Sequence, residues 1–191
     1  MILFTSIATL TSLLILLLAF LARVPGYRVA PALLIPAVWA IFFLRRKLHL
    51  HPFHYLLLCL AILFHMTGAF GFYQKSPFPI SFDIVVHYYF AIAIVFVLHR
   101  AIARSFPLTP WQLRVTVLLF MMGLGALHEI MEYLTYLLLG EERGMLKPST
   151  SYFFDTQRDL TNNLLGTLTA LLLLALIGTR RTPSDAPTPP S

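Results

Sequence analysis

Asp83 and His87 stand four residues apart in DIVVH, so on a helix their side chains lie one turn apart on a single face. Two further stretches repeat this spacing. In HEIME, His128 and Glu132 are four apart and Glu129 and Glu132 three apart, so all three approach one face. In DTQRDLTNNLLG, Asp155 and Asp159 are four apart, Arg158 lies between them, and Asn163 follows Asp159 by one turn. An imidazole and a carboxylate one turn apart can be two ligands of one metal ion, or a carboxylate holding the ring in one tautomer. The HExxE arrangement offers ligands suited to zinc, iron or manganese, and a spare carboxylate to act as base on metal-bound water. His65, His87, His128, Glu132 and Asp159 are therefore the candidate ligands of a divalent transition metal. Asp83, Glu129 and Asp159 are the candidate catalytic carboxylates, and Asp155, Arg158 and Asn163 the candidate substrate contacts.

Each group also has a structural reading. Ser81 and Asp83 suit a helix start, as do Asp155 and Thr156, while Gly166 permits close helix packing. A lone histidine such as His65 more often satisfies a hydrogen bond than binds a ligand. Of the two aspartates, Asp159 lies deeper and shares its face with Asn163.

These side chains belong to a chain that is 58% apolar and 12% charged over 191 residues, with a mean hydropathy of +0.79. That composition is expected of an all-α integral membrane protein. Six apolar runs, at residues 2–22, 27–44, 53–72, 84–103, 111–139 and 160–178, predict a bundle of six membrane-spanning helices. The first run lacks a basic n-region and a small-x-small cleavage site, so it reads as a span rather than a cleaved signal. Pro31 and Pro36 predict an irregular second span. Residues 1–178 form the expected single transmembrane domain, and the proline-rich stretch 179–191 a disordered tail with little to bury.

The +6 charge is dispersed at segment ends, a pattern that suits anionic lipid rather than nucleic acid. A single cysteine, Cys59, excludes an intrachain disulfide. Alternating helix direction places eight Lys and Arg residues at one end of the bundle, densest at Arg45, Arg46 and Lys47, and six at the other. Positive residues are retained on the cytoplasmic side, so both termini are expected there. Seven of the eight carboxylates then gather at the outer ends of the third to sixth helices. Glu141 and Glu142 read as solvated loop residues, and Asp185 stands apart in the tail. Ionisable groups at membrane depth are costly, which makes this cluster the expected functional site.

The ordered set DIVVH, EIME and DLTNNLLG resembles the VanZ-like membrane proteins and, more closely, the related YjdF-like inner-membrane family. The VanZ-like pattern has an Asp and a His one turn apart, then a Glu and a Gln three apart, then DxxxNxxG. Asp83 and His87 match the first pair, Glu129 the Glu, and Asp159, Asn163 and Gly166 the last motif. Glu132 replaces the Gln, while His128 and the FDTQRD stretch look more like the YjdF-like branch. The likeness covers residues 60–175. It implies a small multi-pass protein of a bacterial-type inner membrane working in the cell envelope, and it hands over no settled reaction.

The leading expectation is a metal-dependent enzyme acting on a membrane lipid or lipid-linked envelope substrate, by hydrolysis, group transfer or di-metal redox chemistry. The alternatives are a proton-coupled transporter or lipid-handling protein using the same residues as a relay, and a scaffold whose polar cluster only joins helices.

Overall fold

The computed structural model describes residues 1–22, 29–140 and 152–178. The expected tail at 179–191 and the loop carboxylates Glu141 and Glu142 lie outside the described residues. Six α-helices follow in chain order: α1 (Ile2–Leu21), α2 (Val29–Leu44), α3 (Pro52–Met66), α4 (Phe82–Ser105), α5 (Pro110–Leu139) and α6 (Tyr152–Gly178). Among the described residues there is no strand. Four helices, α1, α4, α5 and α6, are long and apolar enough to cross a membrane. The other two are shorter. The 15 residues of α3 rise only about 22 Å, less than the roughly 30 Å of hydrocarbon.

Local sequence sets these boundaries. Pro52 and Pro110 occupy first-turn positions, where the missing N–H costs nothing. Thr109 and Gln112 close a reciprocal capping box at the start of α5. The apolar run of the third span extends to residue 72, yet α3 stops at Met66 and passes through a 3-10 turn at Thr67–Phe70. Gly71, at φ +84, ends that turn in the left-handed region. The second helix runs through Pro36 without interruption. The sixth begins eight residues before its apolar run, because Asp155, Arg158 and Asp159 pair with one another across its first turns.

The apolar interior has two parts. One joins α1, α2 and α3 around Tyr55, Leu58 and Met66. Hydrogen bonds cross it: Thr5 Oγ1 donates to the Tyr55 hydroxyl at 3.0 Å, and that hydroxyl donates to the Val38 carbonyl at 3.0 Å. Trp39 donates its indole N–H to Thr9 and so ties α2 to α1. The other part joins α4, α5 and α6 around Ala91, Val95, Val117 and Ala170. Here α4 and α6 run in the same direction and share the most extensive helix contact, with α5 antiparallel to both. Gly166 makes that contact possible. A Cβ there would collide with the Tyr88 carbonyl of α4 and stand 2.9 Å from the Ala91 Cβ. The Tyr88 hydroxyl then donates to Thr169 at 3.0 Å. Because α4 and α6 start at the same end, their first polar turns lie side by side.

Candidate metal centre

Asp83 enters from the first turn of α4 and His87 from the turn above it, while Asp159 enters from the second turn of α6. All three are buried, and one ligand atom from each lies within 4.8 Å of the others. His87 Nε2 stands 3.8 Å from Asp83 Oδ1 and 3.6 Å from Asp159 Oδ2. These separations are too long for hydrogen bonds. They suit ligands of a common ion, since two donors each about 2.1 Å from a tetrahedral centre stand roughly 3.4 Å apart. The donor chemistry, one imidazole and two carboxylates, fits zinc, iron or manganese. This group could hold a metal ion.

Arg158 binds the outer side of the group. Its Nη2 donates to Asp83 Oδ2 at 2.8 Å and also to Asp155 Oδ1, and its Nε donates to Asp159 Oδ1 at 3.4 Å. One guanidinium thus joins three carboxylates on two helices. Bare buried carboxylate charge is expensive, so a cation or a proton must balance what Arg158 does not. Ser81 at the start of α4 makes no side-chain cap, and Asp155, three residues inside α6, has its carboxylate on Arg158. Arg158 itself is paired with the three carboxylates.

Asn163 lies beneath this layer, 3% exposed, where its side chain reaches the His87 ring. Gly125 of α5 makes room for it, since a Cβ there would stand 2.9 Å from Asn163 Nδ2. The HEIME residues adjoin the group on the α5 side. The His128 ring centroid is 5.6 Å from that of His87, and His128 Nε2 is 3.2 Å from Glu132 Oε1. Glu129 is buried, and its Oε1 has no hydrogen-bond partner.

His65 is held differently. Its Nδ1 shares a 2.5 Å hydrogen bond with the Tyr73 hydroxyl, and its ring packs edge-on against Phe90, outside the three-ligand group. The sequence reading passed over Tyr73 and Gly125. Tyr73 follows the glycine turn that folds the chain back over the end of α3, and Gly125 precedes Glu129 by one turn; each signal is weak until the partner helix is in view.

Residues 4–180 match the family described as "Predicted membrane protein (DUF2238)". The chain belongs to this family. The match runs from the first turn of α1 to beyond the end of α6, so the DUF2238 unit takes in all six helices and the whole candidate centre. The chain matches no curated protein and no solved structure. As a DUF2238 protein it is a membrane protein, and the family description carries no reaction or substrate.

Proposed function

We propose that this DUF2238 protein is a metal-dependent enzyme acting on a membrane lipid or lipid-linked envelope substrate, with a divalent transition metal held by Asp83, His87 and Asp159. The observation that carries the reading is the spacing of these buried donor atoms at the edge length of a metal coordination shell. A bound ion of this class supplies Lewis acidity and an acidified water. The protein's own residues supply the rest. Asn163 orients the His87 ring, Arg158 holds Asp83 and Asp159 in place, and Glu129 is the proton acceptor at the reacting end. Resemblance to VanZ-like and YjdF-like proteins supports an envelope setting. The distribution of Lys and Arg supports cytoplasmic termini and a site at the extracytoplasmic face of the inner membrane.

A proton relay is less well supported. A relay needs ionisable groups strung across the span. Beyond the cluster the α4–α6 seam buries Ala91, Val95, Thr167 and Ala170, and no carboxylate continues the path among the described residues. The test is conversion of lipid by the protein reconstituted in vesicles of envelope lipid extract with Mn2+ or Zn2+, followed by mass spectrometry. Metal-dependent loss of one lipid species, abolished by Asp159→Asn and slowed about 10²–10⁴-fold by Glu129→Gln, is the expected result. Unchanged lipids, together with a proton flux that Glu129→Gln abolishes, would replace the enzyme reading with the relay.

A further inference from the structure

At the end of the bundle opposite the candidate centre, basic residues scattered through the sequence come together. There α3 begins, α4 ends and α5 begins. His51 caps α3, and His54 lies in its first turn. His99 and Arg100 stand in the last two turns of α4, and Arg114 in the second turn of α5. The electrostatic neighbours of His54 are Arg100, His51 and His99, and Arg114 is that of His99, so these residues form one group across three helices. Among the described residues no carboxylate balances it, because Asp83, Glu129, Glu132, Asp155 and Asp159 all lie toward the other end.

We propose that this group binds the phosphate of an anionic membrane lipid, with Arg100 as its principal donor. Three observations carry it. Arg100 is held in place, since its Nε donates to the His49 carbonyl at 3.1 Å. His49 directs that carbonyl from a left-handed backbone, φ +52, which histidine tolerates better than most residues. The turn is fixed from beneath by buried Leu50, whose N–H donates to the Arg45 carbonyl at 2.9 Å. The other N–H donors of the Arg100 guanidinium have no partner among the described residues, and such a fork matches two oxygens of one phosphate.

Charge is the second observation. Cations gathered without a carboxylate repel one another, and an anion seated among them relieves that repulsion. Position is the third. Both α4 and α5 are long enough to cross a membrane, so the junction between them lies at a membrane surface. Exposed Phe53 and Trp111 flank the group, and aromatic rings of this kind sit at headgroup level. The occupant that fits is a lipid whose phosphate carries the net charge of the headgroup, such as phosphatidylglycerol. Phosphatidylcholine offers the same phosphate beside its own cation and fits less well.

The test is a lipid titration of the full chain, purified in detergent and followed by native mass spectrometry. Phosphatidylglycerol should bind about tenfold more tightly than phosphatidylcholine, and millimolar inorganic phosphate should not displace it. Arg114→Gln should weaken phosphatidylglycerol about fivefold, the loss expected for one surface cation. Arg100→Gln should weaken it by about tenfold, and Arg100→Lys, which keeps the charge but not the fork, should do the same. Lys75→Gln, which removes an exposed charge from the other end, should bind like the wild type. Arg114 is exposed and bonded to no described residue, so its variant keeps the fold and decides the question even where an Arg100 variant does not fold. Equal affinity for the two lipids, or equal losses in Arg114→Gln and Lys75→Gln, would overturn the site. Wild-type binding by Arg100→Lys would overturn it as well, leaving diffuse surface charge. Displacement by inorganic phosphate would overturn the lipid as its occupant.

Discussion

Arg158 is the residue on which the polar layer depends. Its guanidinium touches Asp83, Asp155 and Asp159, and removing it would leave three carboxylates with no fixed positive charge. Breaking a buried ion pair by deleting one partner costs about 3–5 kcal/mol, and the partial exposure of Arg158 puts the expected loss at the lower end. Arg158→Met should therefore lower the thermal midpoint of the metal-free protein, and added Zn2+ should restore more of it than in the wild type. Differential scanning fluorimetry with and without Zn2+ reads both effects. An Arg158→Met protein as stable as the wild type without metal would show that the carboxylates carry protons. His65 belongs to a different unit. Tyr73→Phe removes its 2.5 Å hydrogen bond and should cost about 1 kcal/mol of stability while leaving the stoichiometry of bound metal unchanged.

At the scale of elements, the centre exists because α4 and α6 approach closely enough for Asp83, His87 and Asp159 to meet. Gly166 sets that approach. Gly166→Ala would press a methyl against the Tyr88 carbonyl, with an expected cost of about 1–3 kcal/mol and a weaker metal site, since Asp159 sits two turns earlier on the same helix. Gly123 on α5 is the matched control. A Cβ there meets nothing within 4 Å, so Gly123→Ala should be neutral or stabilise by up to about 1 kcal/mol. Chemical denaturation of the two variants, alongside their metal affinities, separates the packing effect from helix propensity. Equal behaviour of the two would remove Gly166 from its role.

Much of this was legible in DIVVH, HEIME and DLTNNLLG, because i,i+3 and i,i+4 spacing fixes shared faces before any partner helix is known. Hydropathy likewise located all six helices. It could not foresee that α3 would stop at Met66, since the stop depends on a left-handed Gly71 inside an apolar run. Nor could it place the start of α6, whose first turns are polar and become helical through ion pairs within them. Which of several candidate ligands converge is a matter of helix rotation. His65, held by the Tyr73 hydroxyl, lies outside the three-ligand group.

The whole molecule divides its labour between an apolar half, α1 to α3, and a half that carries the centre, α4 to α6. At 30 residues α5 rises about 45 Å, more than the hydrocarbon needs. The distribution of Lys and Arg predicts which face the centre lies toward. In a Cys59→Ala background, Ser76→Cys in the exposed segment leading into α4 should react with an impermeant maleimide added to intact spheroplasts. Arg46→Cys should react only after lysis, and the reverse pattern would turn the centre toward the cytoplasm.

The central claim is that Asp83, His87 and Asp159 hold a transition metal, and elemental analysis of gently purified, chelator-free protein tests it most directly. The account predicts at least one zinc, iron or manganese ion per chain in the wild type, and loss of an ion in both His87→Ala and Asp159→Asn. Wild-type protein without metal, or metal retained at full stoichiometry in both variants, would contradict it.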